Sequence, residues 1–98
     1  MRSFSDDEIA CIATRARVLG DPARVRILNA LAQGEYGAGR LAALLGMDVS
    51  SLLQHLQVLF NVGLVQQRRH ASGMTYAIET ADLIGVCDVL GRCGWSRD

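Results

Sequence analysis

The chain has 98 residues, half of them apolar and a fifth charged, which suits one globular domain and excludes a disordered chain. No apolar run approaches the roughly 20 residues that cross a bilayer, and the opening Met-Arg-Ser-Phe-Ser-Asp-Asp-Glu lacks the apolar centre of a signal peptide, so the expected location is cytoplasmic. Ten basic residues, all arginine, balance ten acids to a net charge of zero, which taken by itself argues against a nucleic-acid protein.

Asp6 to Leu19 has Ile9, Ile12, Ala13, Ala16 and Leu19 at helical spacing, and Gly20 ends it. Asp21-Pro22 starts a second helix: Asp caps it, and Pro takes the first helical position, where its missing N–H costs nothing. Val25, Ile27, Leu28 and Leu31 are its apolar positions and Gly34 closes it. A short third helix covers Ala38 to Leu45 and stops at Gly46. After a tight turn Asp48 caps a fourth, which runs to Gly63 and gives the spacing of a helix-turn-helix. Leu64–Arg69 and Met74–Glu79 are extended and joined by a tip at His70–Gly73. A last helix runs from Thr80 or Ala81 to about Arg92, with Leu83, Ile84, Val86, Val89 and Leu90 apolar. The expected fold is mainly α with a small β-hairpin: a winged helix-turn-helix of five helices plus wing, one domain over residues 1–98.

Charge is distributed to match. Asp6, Asp7 and Glu8 lie at one end and Glu79, Asp82, Asp88 and Asp98 at the other, while Val49 to Ile78 contains no acid at all. A helix and a ribbon with hydrogen-bonding tips, and no anionic side chain nearby in sequence, are what a reader of duplex DNA needs. Ser50, Ser51, Gln54 and His55 are the candidate base and phosphate contacts on the helix; Arg68, Arg69 and His70 are the candidates on the wing. Ordinary solvated surfaces are the alternative for both sets, and His55 has a further one, facing inward against the second helix. No nucleophile, base and orienter occur together, and there is no phosphate loop or metal triad, so an enzyme is not expected. Gly37-x-Gly39-x-x-Ala42 imitates a dinucleotide-binding turn, but no strand precedes it and no acid follows at the required distance.

Leu19-Gly-Asp-Pro-Ala-Arg-Val-Arg-Ile-Leu-Asn-Ala-Leu31 resembles the opening of the ArsR/SmtB family of bacterial winged-helix repressors. Leu41-Ala-x-x-Leu-Gly46, His55-Leu56-x-Val-Leu59 and Gly63-Leu-Val65 with Arg68-Arg69 match it in order and spacing. The resemblance implies a homodimer whose first helix (about 6–19) and last helix (about 81–92) form the interface, and whose paired recognition helices bind an inverted-repeat operator. It also implies release of the DNA by a metal or a thiol-reactive signal. Gly37-Ala-Gly39 stands where metal-sensing members carry Cys-x-Cys, and Asp82-Leu83-Ile84 lacks the histidine of the family's other common site, so the usual metal sites are absent. Leu53 departs from the small polar residue usual there; it either meets a thymine methyl or is buried by a shift of register.

Cys11, Cys87 and Cys93 are an odd number, against a disulfide framework. Cys87 and Cys93 lie about 9 Å apart along an ideal helix and on different sides, so they chelate one ion together only if the helix frays, which Gly91 and Gly94 favour. Cys11 with either could hold trivalent arsenic or form a redox disulfide, giving a thiol-dependent signal. The alternative is that a buried cysteine is a small apolar residue. A winged-helix dimerisation module without DNA binding is the rival function.

Overall fold

Four helices and a hairpin follow one another through residues 3–79, the part of the chain that the computed structural model describes. They are α1 (Asp6–Val18), α2 (Pro22–Leu31), α3 (Ala38–Leu45), α4 (Val49–Asn61), β1 (Val65–His70) and β2 (Gly73–Ile78). The order is that of a winged helix-turn-helix. The expected last helix, with Cys87 and Cys93, lies outside the described residues, so four helices rather than five are seen.

Local chemistry explains several of these boundaries. Ser5 and Glu8 form a reciprocal capping box at the start of α1, with acids in the first turn and Arg15 and Arg17 in the last, as the helix dipole favours. Asp21 Oδ1 accepts from the Ala23 amide at 2.9 Å, and Pro22 begins α2. Asp48 Oδ2 accepts from the Ser51 amide at 3.1 Å to begin α4. Gly46 ends α3 in the left-handed region at φ 65°. Gly63, at φ 77°, turns the chain out of α4 so that the Leu64 amide donates back to the Leu59 carbonyl at 2.9 Å. A side chain at Gly63 would carry the left-handed penalty, and its Cβ would stand 3.1 Å from Arg15 Nη2. Arginine can swing away, so the backbone term decides: Gly63→Ala is expected to lower stability by about 1–2 kcal/mol, read as a shift in the urea midpoint at constant slope.

The core is assembled from the inward sides of α2, α3, α4 and the wing. Ile27, Leu41, Leu52, Leu56, Leu59 and Val65 are all but inaccessible to solvent, and Val18 of α1, Leu28, Ala30, Leu31, Ala42, Leu64 and Tyr76 complete the cluster. Some of the expected apolar positions fall outside it. Val25 is exposed, because Ile27, Leu28 and Leu31 already supply the inward stripe of α2. Helix α2 itself ends at Leu31, and Gln33 and Gly34 follow it as a tighter turn on the carbonyls of Ala30 and Leu31. In α1 only Val18 is buried among the described residues, leaving Ile9 at 52% and Ile12 at 49% exposure.

The strands pair antiparallel, with Val65 opposite Ile78, Arg68 opposite Thr75 and His70 opposite Gly73. Each reaches one residue further into the tip than expected and stops one residue short at the base, without Leu64 and Glu79. A further pairing had no sequence signal. Tyr36, in the loop between α2 and α3, exchanges backbone hydrogen bonds with Tyr76: its amide donates at 3.2 Å and its carbonyl accepts at 2.8 Å. The wing is thereby laced to that loop.

Candidate nucleic-acid interface

Helices α3 and α4 turn through 111° at Gly46–Asp48, within the range of helix-turn-helix units. The turn sets α4 on the core by Leu52, Leu56 and Leu59. At 3.6 residues per turn, Ser50, Gln54, Gln57 and Asn61 fall on the opposite side, and all four are exposed. Val49 and Leu53 line one edge of that face; Ser51 and His55 line the other. From Val49 to Asn61 there is no charged residue.

The candidate contacts divide by their partners. Ser50, Ser51 and Gln54 are exposed, and their side chains make no hydrogen bond among the described residues. His55 is half-buried and turned to α2, where its Nδ1 accepts from Arg24 Nε at 3.3 Å while Arg24 Nη1 donates to the Val18 carbonyl. That bond makes Nδ1 an acceptor. The geometry is therefore the inward one of the two placements open for His55. Leu53 is 42% exposed, which removes the alternative of burial by a shifted register.

On the wing the two-residue period puts Arg68 and His70 on one face and Arg69 on the other. Arg68 Nη1 donates to Glu35 Oε1 at 2.8 Å. Thr75 Oγ1 donates to Glu35 Oε2, also at 2.8 Å, and His70 Nε2 stands 2.9 Å from both of those oxygens. Three of the wing's polar side chains thus converge on one carboxylate. Arg69 is exposed and has no side-chain bond among the described residues. The acid-free stretch of sequence is not acid-free in space, because Tyr36 pairs with Tyr76 and brings its neighbour Glu35 against the hairpin. Glu35 and Thr75 are the members of this group that sequence reading missed.

The hydrogen bond from Thr75, then those from His70 and Arg68, hold the Glu35 carboxyl below its ordinary value of 4.5 against the opposing effect of burial. A carboxyl with a lowered folded pKa stabilises the fold above the unfolded value and loses that contribution as pH falls through the folded one. Wild-type stability is therefore expected to decline more steeply in acid, below pH 4.5, than that of Glu35→Gln. Parallel urea titrations at descending pH would check this; coincident profiles would contradict it.

Cys11 is exposed on α1 and free. It lines an open cleft of about 500 Å³ with Thr14, Arg15, Asn61 and Gly63, where Arg15 Nε donates to the Val62 carbonyl at 2.8 Å. Among the described residues no group of three His, Cys, Asp or Glu side chains could hold a metal ion, and no single helix is long and apolar enough to cross a membrane.

Comparison with known proteins agrees with this architecture. The model of the arsR family of bacterial regulatory proteins matches residues 21–67, from the cap of α2 into β1. Rv0081 of Mycobacterium tuberculosis, solved by crystallography, is 31% identical and superimposes with a TM-score of 0.80 over 91% of this chain and 90% of that one. The Mb0332 domain of Mycobacterium bovis is described as a homodimeric winged helix-turn-helix DNA-binding domain and a possible ArsR-family regulator. It superimposes at 0.83 with 28% identity, over 100% of this chain and 96% of that one. The biofilm growth-associated repressor of Agrobacterium fabrum is 37% identical over 67 residues, which are 68% of this chain and 57% of that protein. The chain spans 57 to 60% of the length of such curated relatives. Family and relatives are transcriptional regulators rather than enzymes. With α4 on its platform, the wing beside it and the match running through both, the chain belongs to the arsR family of bacterial winged helix-turn-helix, DNA-binding transcriptional regulators.

Proposed function

We propose that two copies of this chain form a cytoplasmic repressor that reads an inverted-repeat operator, one recognition helix in each of two successive major grooves. The observation that carries the reading is the exposed face of α4, hydrogen-bonding and free of charge, held up by three fully buried leucines. Ser50, Ser51 and Gln54 would meet bases and phosphates, and Arg69 phosphate or minor groove, with Arg68 and His70 beside it. Ile9 and Ile12 support dimerisation through α1, since they are apolar and half-exposed in the single chain. The homodimeric Mb0332 domain and the Agrobacterium repressor support the assembly and the direction of control by analogy.

The test pairs a mobility shift on DNA upstream of the chain's own gene with a light-scattering mass. A dimer that shifts this DNA and releases it in rising salt is expected. A monomer at working concentration, or no shift at low ionic strength, would overturn the reading; a dimer that ignores DNA would favour the dimerisation module instead. Release by a thiol-dependent signal, trivalent arsenic or an oxidant, belongs to the same proposal and is supported by the exposure of Cys11. Changing Cys11, Cys87 and Cys93 together to serine is expected to abolish that release, and unaltered release would remove the thiols from it.

A further inference from the structure

We infer that Leu53, with Val49 one turn before it, reads thymine C5-methyl groups in the major groove, so that the operator half-site is built on A·T pairs. The inference rests on the DNA-reading role proposed above and adds what that face recognises.

Helix α4 carries no arginine or lysine, the side chains that fork onto guanine O6 and N7, and no carboxylate to accept from cytosine N4. What it presents is amide, hydroxyl and hydrocarbon. Gln54 can bond adenine N6 and N7 together, and the one apolar feature of a base edge in that groove is the thymine methyl. Each A·T pair shows both, side by side.

The hydrocarbon is in the right place. Leu53 is 42% and Val49 44% exposed. Separated by four residues, their Cβ atoms are about 5–6 Å apart on one edge of the helix. Leu53 adjoins Gln54, and Val49 adjoins Ser50, so the apolar edge is continuous with the polar reading face. The fold does not need either side chain inside, because Leu52, Leu56 and Leu59 already fill the inward side of α4. A half-exposed leucine beside a polar reading face gains from water exclusion only when the ligand supplies hydrocarbon.

The full chain would be used to enrich duplexes from a random pool. The enriched duplex would then be compared with versions carrying deoxyuridine, which lacks only the C5-methyl, at each thymine in turn. Losing one contacted methyl is expected to weaken binding about fourfold, the value of one buried methylene-sized group, and losing its symmetry mate as well about fifteenfold. Leu53→Ala, its fold checked by circular dichroism, is expected to lose the discrimination between thymine and uracil at the position that Leu53 contacts. Equal wild-type affinity for the two duplexes, half-sites enriched in G·C pairs, or undiminished discrimination by Leu53→Ala would overturn the inference while leaving DNA binding in place. Failure to enrich any duplex would overturn the DNA-reading role and the inference with it.

Discussion

Leu56→Ala is expected to cost about 2–5 kcal/mol of unfolding free energy, the range for truncating a fully buried leucine. Leu56 is 1% exposed and lies between Leu52 and Leu59 on the inward side of α4, in one cluster with Ile27, Leu41 and Val65. Removing three carbons there loses their transfer free energy and leaves a cavity that four converging elements cannot collapse to fill. A domain of this size has only about 5–15 kcal/mol in total, so the variant should be marginal and its DNA binding weakened through loss of the platform under α4. Leu53→Ala on the exposed edge of the same helix supplies the control, with a change within about 0.5 kcal/mol. Urea unfolding of the two variants decides the matter, and equal shifts in midpoint would refute this assignment of inward and outward sides.

Glu35→Gln should strengthen DNA binding at low salt and steepen its salt dependence. In the wild type Arg68 is engaged by Glu35, leaving Arg69 on the wing and Arg40 on α3 as exposed cations without side-chain bonds among the described residues. If each meets one phosphate in each subunit, four contacts give a slope of log affinity against log salt of about −3.6, a loss near 150-fold between about 50 and 200 mM. Glutamine removes the carboxylate's charge and frees Arg68 for a phosphate in each subunit, taking the slope to about −5.4. Affinity measured at four or five salt concentrations separates the two values. An unchanged slope would mean that Arg68 and its carboxylate partner only brace the wing.

Much of this was legible in the sequence because the information was local. Asp21-Pro22, Gly46, Asp48 and Gly63 each act within one turn of chain, and they put the helix boundaries within about three residues of those observed. The hairpin was placed to within one residue at its tip by its alternation and by Gly73. What could not be read was set by distance along the chain. Arg68 and Glu35 are 33 residues apart, and a single bridge between Tyr36 and Tyr76 leaves no periodicity to detect. Val25 looked inward because helical spacing fixes a stripe only to within a residue on either side. His55 had two open placements until Arg24, on a different helix, was seen to hold it.

The backbone pairing of Tyr36 with Tyr76 also bears on motion. Amide protons at these two positions should exchange with solvent only when the hairpin and the preceding loop open together, a cooperative event rather than fraying of a tip. If the hairpin meets DNA as proposed, it is then held stiffly against the loop before α3 ahead of any encounter. Little configurational freedom is left to surrender on docking, so most of the contact energy can appear as affinity.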